Sequence, residues 1–141
     1  MAVVIVSGSC GLIGSETVSF FCEKGFDVIG IDNNMRRYFF GEDGSILWNK
    51  KRLEKRYKNY KHYSLDIRNQ NGVARVFKKF RNDISLIIHA AAQPSHDWAA
   101  KEPLTDFGVN ATATLILLEA FRQYCPEAVF ILTSPSKEFM T

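Results

Sequence analysis

Continuous runs of apolar, mostly β-branched residues recur along the chain and alternate with segments of helical periodicity. A strand covered on both faces of a parallel sheet shows such a run, because neither face meets water. Four strong runs and a weaker fifth predict strands at Val3–Val6, Val28–Ile31, Ile84–Ile88, Val129–Leu132 and His62–Leu65. We therefore expect a mostly parallel sheet of about five strands.

Segments with helical spacing lie between the runs, at Leu12–Lys24, Val73–Phe80 and Thr105–Tyr124. Apolar residues on one side of a helix face the core. Those expected to face the sheet from the first and third helices are Ile13, Val18, Phe21, Leu115, Leu118, Ala120 and Phe121. Apart from a mixed insertion after the second strand, strands alternate with helices, which predicts an α/β protein with a Rossmann-like three-layer αβα fold.

The composition is that of an ordinary globular protein of one domain, with 46% hydrophobic and 23% charged residues in 141. The net charge of +3 gives no strong reason to expect a nucleic acid or a membrane as partner. The cysteines Cys10, Cys22 and Cys125 form no C-x-x-C pair, and their odd number fits reduced thiols in the cytoplasm. The apolar N-terminus, MAVVIVSG, is far too short to span a bilayer and lacks the features of a signal peptide.

Three glycines, Gly8, Gly11 and Gly14, follow the first strand in the spacing G-x-x-G-x-x-G. In a dinucleotide-binding unit the first allows a sharp turn, the second lets the backbone approach a pyrophosphate, and the third lets the helix pack on the strand. The helix then directs unpaired N–H groups and a partial positive charge at the phosphates. A glycine turn without a ligand is the alternative, but the preceding strand and the following helix favour dinucleotide binding.

Asp32 ends the second predicted strand, at the distance from the glycines where a carboxylate accepts hydrogen bonds from the adenosine ribose. A carboxylate there repels a 2′-phosphate, which favours NAD over NADP as the cofactor. Arg36 and Arg37 follow closely and weaken that preference, because arginine can hold a phosphate.

Polar and small side chains also follow two later strands. Asp66 comes after the weak strand, where it could accept a hydrogen bond from an adenine amino group or equally serve as a helix N-cap or surface turn. After the fourth strand, the small side chains of HAAA at 89–92 leave room for a cofactor at the carboxyl end of the sheet. His96 and Asp97 could form an acid–base pair, but adjacent residues rarely point the same way, which favours no shared role.

A basic stretch with interleaved aromatic residues runs from Asn49 to Tyr63. Nucleic-acid binding is one interpretation. A solvated amphipathic helix, whose basic residues cover its tyrosines, is favoured because the net charge is small. Cys10, inside the glycine motif, would be open to oxidation if exposed, and a small filler is its more ordinary role.

With these residues laid out, the chain resembles the N-terminal portion of the extended short-chain dehydrogenases/reductases, in the branch of NAD-dependent nucleotide-sugar epimerases and dehydratases. Within that branch it is most similar to the CDP-tyvelose (CDP-paratose 2-) epimerases. The segments that carry the resemblance are GLIGSE, GIDNNMRRYFFGEDGS, LDIRN, HAAAQPSHDWAAKEPLTDF and VNATATLILLEA. The glycine motif marks only the superfamily, whereas DNNMRRYFFG and AAQPSHDWA are more specific.

The resemblance implies which residues contact the cofactor. Matched by position, Gly8, Gly11, Leu12, Ile13 and Gly14 belong to the pyrophosphate loop, Asp32 and Asn33 to the ribose contacts, Asp66 and Ile67 to the adenine pocket, and Ala90, Ala91, Ala92 and Gln93 to the strip beneath the ribose and nicotinamide. Asn110 matches an asparagine that supports the active site, and Thr133 is included among the cofactor contacts. In such enzymes NAD takes a hydride from a nucleotide-sugar, here C2 of a CDP-hexose, and returns it to the opposite face. No catalytic or metal-ligating residue is assigned.

The chain departs from the family pattern after the fifth strand. The family has T-S-T-N-K-V-Y-G there and this sequence has TSPSKEFMT, so Pro135 stands where a hydroxyl residue hydrogen-bonds the sugar. Proline has neither a hydroxyl nor an N–H. The Y-x-x-x-K pair, the last Rossmann strands and the sugar-binding domain of the family lie further along. We therefore expect an incomplete, truncated NAD(P)-binding Rossmann domain over 1–141 that has no epimerase activity alone.

Two further expectations follow from the resemblance. The alternative to an epimerase portion is a stand-alone NAD-binding module without catalysis.

The helix that would cover the sheet and the Thr105–Tyr124 helix is absent from the sequence, and exposed apolar surface drives association. We therefore expect a homo-oligomer.

Overall fold

Strand β1 lies at the centre of a parallel sheet. The structure is a computed structural model that describes residues 2–34, 37, 41–42, 45–91 and 96–133, without the side chains of 96–98. Its strands are β1 (Val3–Ser7), β2 (Asp27–Asp32), β3 (Tyr60–Ser64), β4 (Ile84–His89) and β5 (Val129–Leu132). Their order in the sheet is β3-β2-β1-β4-β5, and every pairing is parallel. The predicted five-stranded parallel sheet is confirmed.

Helices connect the strands. They are α1 (Leu12–Glu23), α2 (Leu47–Arg56), α3 (Gln70–Phe80), α4 (His96–Lys101), α5 (Pro103–Phe107) and α6 (Ala113–Tyr124). A π-helical turn, Gly108–Thr112, joins α5 to α6. The side chain of Asn69 caps α3 by accepting the N–H of Gly72 at 3.0 Å. Gly25, with φ of +90°, lies directly after the end of α1, where a left-handed residue is common.

Two cores on opposite faces of the sheet show the three-layer arrangement. Side chains alternate along a strand, so β1 contributes to both cores and is buried throughout. One core packs β1 against α3 and α6, and its largest fully buried members are Ile5, Ile31, Phe77, Ile87 and Leu117. The other packs β1 against α1 and α2, and includes Val4, Val6, Val18 and Leu53. The expected Rossmann-like αβα fold is confirmed.

The expected inner faces of α1 and α6 are partly wrong. In α1, Val18 is buried and Phe21 packs at the edge of the core, but Ile13 is 56% exposed. In α6, Leu115 and Leu118 are exposed. The residues that α6 buries are Ala113, Leu117 and Ala120. Leucine or isoleucine occupies every position from 115 to 118, so periodicity did not determine which side of the helix meets the sheet.

The expected single helix over Asn49–Tyr63 is also wrong. Helix α2 ends at Arg56, and β3 begins at Tyr60. The tyrosines Tyr57 and Tyr60 belong to the core beside α2, so they are covered by packing as well as by basic neighbours. Tyr57 donates a hydrogen bond from its hydroxyl to Glu23 at 2.8 Å, which ties the end of α2 to the end of α1.

Among the described residues, one helical stretch, Pro103–Tyr124, is long and apolar enough to span a membrane. Its mean hydropathy is 1.2. The core helix of a globular protein passes the same test. Here Val109, Ala113, Leu117 and Ala120 are buried, and all of these except Val109 belong to the core beneath the sheet. In all, 22% of the stretch is buried, and a single helix of this kind is weak evidence for a membrane span.

Candidate functional site

The phosphate loop, residues 8–14, turns between β1 and α1. Gly8 has φ of +67°, and a Cβ atom there would lie 2.8 Å from backbone atoms of Ala91. A Cβ on Gly14 would lie 1.8 Å from the carbonyl oxygen of Gly8, because the first turn of α1 packs directly on the loop. Only glycine fits at both positions.

The first turn of α1 opens toward solvent. Gly11 is the N-cap, and its N–H donates to the carbonyl of Gly8 at 3.1 Å. Leu12 and Ile13 are exposed, at 80% and 56%. The first N–H groups of a helix have no acceptor within it, and within the described residues no side chain caps this end. These amides are therefore available to an anion, as the glycine spacing predicts.

Asp32 connects the loop to the end of β2. Its Oδ2 accepts the backbone N–H of Cys10 at 3.1 Å, and its Oδ1 accepts that of Asn34 at 3.0 Å. Each carboxylate oxygen has a further lone pair. The carboxylate is partly exposed and can still accept hydrogen bonds from a ribose. Asn33, the other expected ribose contact, follows directly and is also partly exposed.

One of the two arginines that argued for a phosphate near Asp32 has a partner. The guanidinium of Arg37 donates through Nε to Glu42 at 2.9 Å and also forms an ion pair with it through NH2. Both side chains are largely exposed, and an ion pair of this kind competes only weakly with a phosphate for Arg37. Arg36 lies outside the described residues.

Asp66 is engaged by its neighbour. Its Oδ1 accepts the backbone N–H of Arg68 at 2.9 Å, and its Oδ2 accepts a guanidinium N–H of the same arginine at 2.6 Å. Burial tends to raise the pKa of Asp66, but the hydrogen bonds from Arg68 outweigh it and lower the pKa. The turn interpretation of Asp66 is thus correct, and the N-cap is Asn69 instead. Arg68 Nε–H also donates to both carboxylate oxygens, at 3.0 and 3.1 Å, so an adenine contact would compete with Arg68 for them. Ile67 beside it is buried.

The strip after β4 is held by a buried hydrogen-bond chain. Ser7 Oγ accepts the N–H groups of Ala90 and Ala91 at 3.1 and 3.2 Å, so its own proton goes to Nδ1 of His89 at 2.6 Å. The imidazole is then neutral, and its Nε2–H donates to Thr114 Oγ1 at 2.9 Å. Burial lowers the pKa of His89 to about 4.

The same chain reaches the π turn. Thr114 Oγ1 donates to the carbonyl of Asn110 at 3.0 Å, and the side-chain amide of Asn110 donates to Asp106 at 3.1 Å. Thr133, just after β5, donates both its N–H and its hydroxyl to the carbonyl of His89 at 3.1 Å. Of the expected site residues, Ala92 and Gln93 lie outside the described part of the chain, as does Pro135.

Sequence reasoning missed two groups of buried polar residues. One is Ser7 with His89, which are 0% and 1% exposed at the ends of adjacent strands. A polar residue ending two apolar runs is a signal that could have found this pair. The other is a cluster in which Ser9 and Cys10 of the phosphate loop meet the buried Tyr60 and the partly buried His62. The Tyr60 hydroxyl donates to Ser9 at 3.0 Å and lies 3.0 Å from Nδ1 of His62.

Cys10 is a packed thiol within that cluster. It is 1% exposed, with Sγ 3.7 Å from Nδ1 of His62. Burial, together with the nearby charge of Asp32, raises the pKa of Cys10 to about 11. A thiol with so little thiolate is a poor nucleophile. The filler interpretation of Cys10 therefore agrees with its surroundings.

Together these residues can hold a nucleotide with a pyrophosphate. The cradle formed by Gly8 and Gly14 leaves space that a Cβ would fill, α1 presents its first amides, and Asp32 presents a carboxylate at the end of β2. All three lie at the carboxyl end of the parallel sheet, where ligands of open α/β sheets bind.

Comparison with known proteins points the same way. The family model described as GDP-mannose 4,6 dehydratase matches residues 5–139. CDP-paratose 2-epimerase of Salmonella typhi is 32% identical over 136 residues, which are 96% of this chain and 37% of that protein. The chain thus spans 37% of the length of that curated relative.

Solved structures share the fold. UDP-glucose 4-epimerase from Bifidobacterium longum, in complex with NAD+ and UDP, superimposes with a TM-score of 0.78 at 28% identity, over 96% of this chain and 37% of that one. UDP-glucose 4-epimerase from Thermus thermophilus, in complex with NAD, gives a TM-score of 0.67 at 34% identity, over 86% of this chain and 34% of that one.

Proposed function

The chain belongs to the NAD-dependent epimerase/dehydratase family of extended short-chain dehydrogenases/reductases, and from this membership we propose that it binds NAD at the carboxyl end of β1, β2 and β4. The contact between Cys10 N–H and Asp32 Oδ2 carries the proposal. It places the phosphate loop beside the carboxylate that would bind the ribose. A dinucleotide needs both groups close together.

Different residues would contact different parts of NAD. The first amides of α1, at Leu12 and Ile13, would bind the pyrophosphate, and Asp32 would accept from the ribose hydroxyls. Ala90 and Ala91 offer a strip of small side chains, fixed through Ser7. When bound, NAD supplies reversible hydride acceptance from a sugar carbon. The described residues bind and orient the cofactor, and we assign none of them a proton transfer.

The proposed sugar substrate is a CDP-hexose, epimerised at C2. The support is the 32% identity to a CDP-paratose 2-epimerase, together with the specific segments DNNMRRYFFG and AAQPSHDWA. The chain spans 37% of the length of that relative, so the epimerisation proposed here is an activity of the whole protein. The three free, buried cysteines support a reducing, cytoplasmic setting.

We also propose that the protein self-associates. Large apolar side chains are exposed on α5, α6 and β5, namely Leu104, Phe107, Leu115, Leu118, Val129, Ile131 and Leu132. Contiguous apolar surface in a globular protein commonly marks an interaction site. A second copy of the chain is the proposed partner for this surface.

Titration calorimetry with NAD and NADP, after a spectroscopic check for carried-over nucleotide, tests cofactor binding. We expect NAD to bind more tightly than NADP. Asp32→Ala should weaken NAD binding by about tenfold to a hundredfold, because it removes charge-assisted hydrogen bonds to the ribose. Asp27→Ala, at the opposite end of β2, is the matched control and should bind NAD like the unmodified chain. Equal affinity of both variants, or no NAD binding at all, would contradict the proposal.

A further inference from the structure

Helix α2 and the segment before it contact the phosphate loop and the end of β2, although the sequence assigned this insertion no role. Five residues form a closed hydrogen-bond ring: Cys10, Asp32, Asn34, Ile46 and Asn49. Cys10 N–H donates to Asp32 Oδ2 at 3.1 Å, and Asn34 N–H to Asp32 Oδ1 at 3.0 Å. Ile46 N–H donates to Asn34 Oδ1 at 2.9 Å. Asn49 closes the ring, because its N–H donates to Ile46 O at 3.0 Å and its Nδ2 to Cys10 O at 2.8 Å.

Asn49 is placed by its surroundings to hold the loop. It is 4% exposed, and its Oδ1 accepts Nε–H of Arg52 at 2.9 Å. Because arginine only donates hydrogen bonds, the amide oxygen faces Arg52 and the amide nitrogen faces Cys10. The loop carbonyl therefore meets a fixed donor. If it were unpaired, the carbonyl oxygen of Cys10 would repel the phosphates of a ligand. The side-chain amide of Asn49 holds this oxygen in place by donating to it.

Asn34 holds Asp32, the expected ribose contact, as Asn49 holds the phosphate loop. It has φ of +62°, a left-handed conformation that asparagine tolerates better than most residues. Its side chain bonds Ile46 N–H through Oδ1 and Ser45 Oγ through Nδ2, the latter at 3.3 Å. Its backbone N–H meanwhile fixes one oxygen of Asp32. The start of α2 is thus tied to both halves of the cradle.

We propose that Asn49 and Asn34 are positioning residues of the cofactor site, through which α2 sets the affinity for the pyrophosphate-bearing ligand. The proposal rests on the proposed function, NAD binding. Neither asparagine needs to touch the ligand. Asn49 fixes the peptide of Cys10 in the loop, and Asn34 fixes the carboxylate of Asp32, so that a ligand meets both in the required geometry.

The test compares Asn49→Ala with Asn59→Ala. Asn59 also donates from its amide to backbone carbonyls, those of Cys22 at 2.9 Å and Phe26 at 2.8 Å, but at the far end of α1. Both variants lose amide-to-carbonyl hydrogen bonds, buried at Asn49 and partly buried at Asn59, and thermal melting measures their stability. In calorimetry with NAD and ADP-ribose, Asn49→Ala should bind about tenfold more weakly than the unmodified chain. Asn59→Ala should bind within about twofold of it.

A third ligand and a second variant sharpen the result. Adenosine lacks the pyrophosphate, so its affinity, measured by NMR titration, should fall less in Asn49→Ala than that of ADP-ribose. Asn34→Gly keeps the left-handed backbone available and removes the bond to Ile46, so it tests the ring even if Asn49→Ala fails to fold. We expect it to weaken NAD binding by about threefold or more.

The outcomes separate this inference from the proposed function. If the unmodified chain binds NAD and the foldable ring variants bind it equally well, the positioning role is overturned and the proposed function stands. A loss of affinity in Asn59→Ala as large as in Asn49→Ala would also overturn it, since general destabilisation would then explain both. If the unmodified chain binds no NAD, the proposed function fails and this inference fails with it.

Discussion

His89 carries a buried, neutral imidazole at the point where β4 meets the strip of small residues. Its two ring nitrogens bond Ser7 and Thr114, so any second proton would have to displace one of these partners. Burial lowers the pKa of His89 to about 4. The residue therefore behaves as a rigid spacer at neutral pH, not as an acid or a base.

The pKa of His89 makes stability depend on pH in a defined window. Between about pH 6.5 and about pH 4, this histidine is protonated in the unfolded chain and not in the native protein. A fall in pH therefore stabilises the unfolded state relative to the native state. The free energy of unfolding should fall by up to roughly 3 kcal/mol across that window and lose nothing more from this residue below it. Urea unfolding at several pH values measures the slope.

The control for this prediction is His89→Asn, which cannot titrate. Other groups, among them His62, whose burial also lowers its pKa, contribute equally to both proteins and cancel in the difference. The variant will be less stable at neutral pH because it breaks the chain from Ser7 to Thr114. Its curve should nevertheless be flatter between pH 6.5 and 4. Parallel curves would show that His89 is protonated in the native protein.

Single residues differ in how far the sequence revealed them. The backbone requirements at Gly8 and Gly14 follow from spacing, because a turn followed by a helix leaves few alternatives. The partners of His89, Asn49 and Arg68 did not follow. The bond between Ser7 and His89 joins residues 82 positions apart, and no local pattern encodes such a pair. Buried polar contacts depend on which strands become neighbours, and this is decided by the whole sheet.

Helix α6 shows how one element divides its apolar residues between a core and an exposed side. Leu117 is fully buried between α3 and the sheet, whereas Leu115, two positions earlier, is 61% exposed. Both are leucines on the same helix, so their helix propensities are equal. Any difference between the effects of replacing them must therefore come from packing.

Substitution of the two leucines by alanine should therefore separate packing from propensity. Leu117→Ala should lower the free energy of unfolding by about 2–5 kcal/mol, because it leaves a cavity in the core. Leu115→Ala should change it by about 0.5 kcal/mol or less. Denaturant unfolding under conditions that keep the protein monomeric measures both. Similar losses for the two variants would mean that α6 meets the sheet through a different face.

Among the elements, those with continuous apolar runs were predictable, including the largely exposed β5, and those with mixed sequences were not. Strands β1, β2, β4 and β5 lie close to the predicted ranges, because a run such as VVIV has few other uses in a globular protein. Helix α2 and β3 share one basic, aromatic stretch, and its division at Tyr57 depends on contacts with α1. The position of Asp32 at the end of β2 was likewise predictable, whereas the pairing of Arg37 with Glu42 was not.

At the scale of the whole molecule, the described sheet has two outer strands of different character. β3 is flanked by α2 and contributes Tyr60 to a core. β5 pairs with β4 on one side, and Val129, Ile131 and Leu132 are exposed. An outer strand with apolar side chains is a template for pairing with another chain. Phe130 packs against α6, so the alternating Val129 and Ile131 face the layer of α1, and association would have to cover both sides of the sheet along the edge of β5.

Light scattering coupled to size exclusion should accordingly detect a dimer or a larger oligomer. Leu115→Lys combined with Leu118→Glu places charges on the exposed side of α6 and should shift the protein towards the monomer. Phe20→Lys, at an exposed position of α1 in the opposite layer, is the matched control and should leave the oligomer unchanged. A monodisperse monomer of the unmodified protein would refute self-association.

The central place of β1 also governs the order in which the molecule can assemble during synthesis. β1 is made first, yet it pairs with both β2 and β4, and Val3 is matched with Ile84. At about 5–20 residues per second, the ribosome adds the intervening residues in roughly 4–16 s. Throughout that interval one side of a mostly apolar strand has no native neighbour. The nascent chain therefore carries an unpaired edge of β1 until β4 emerges.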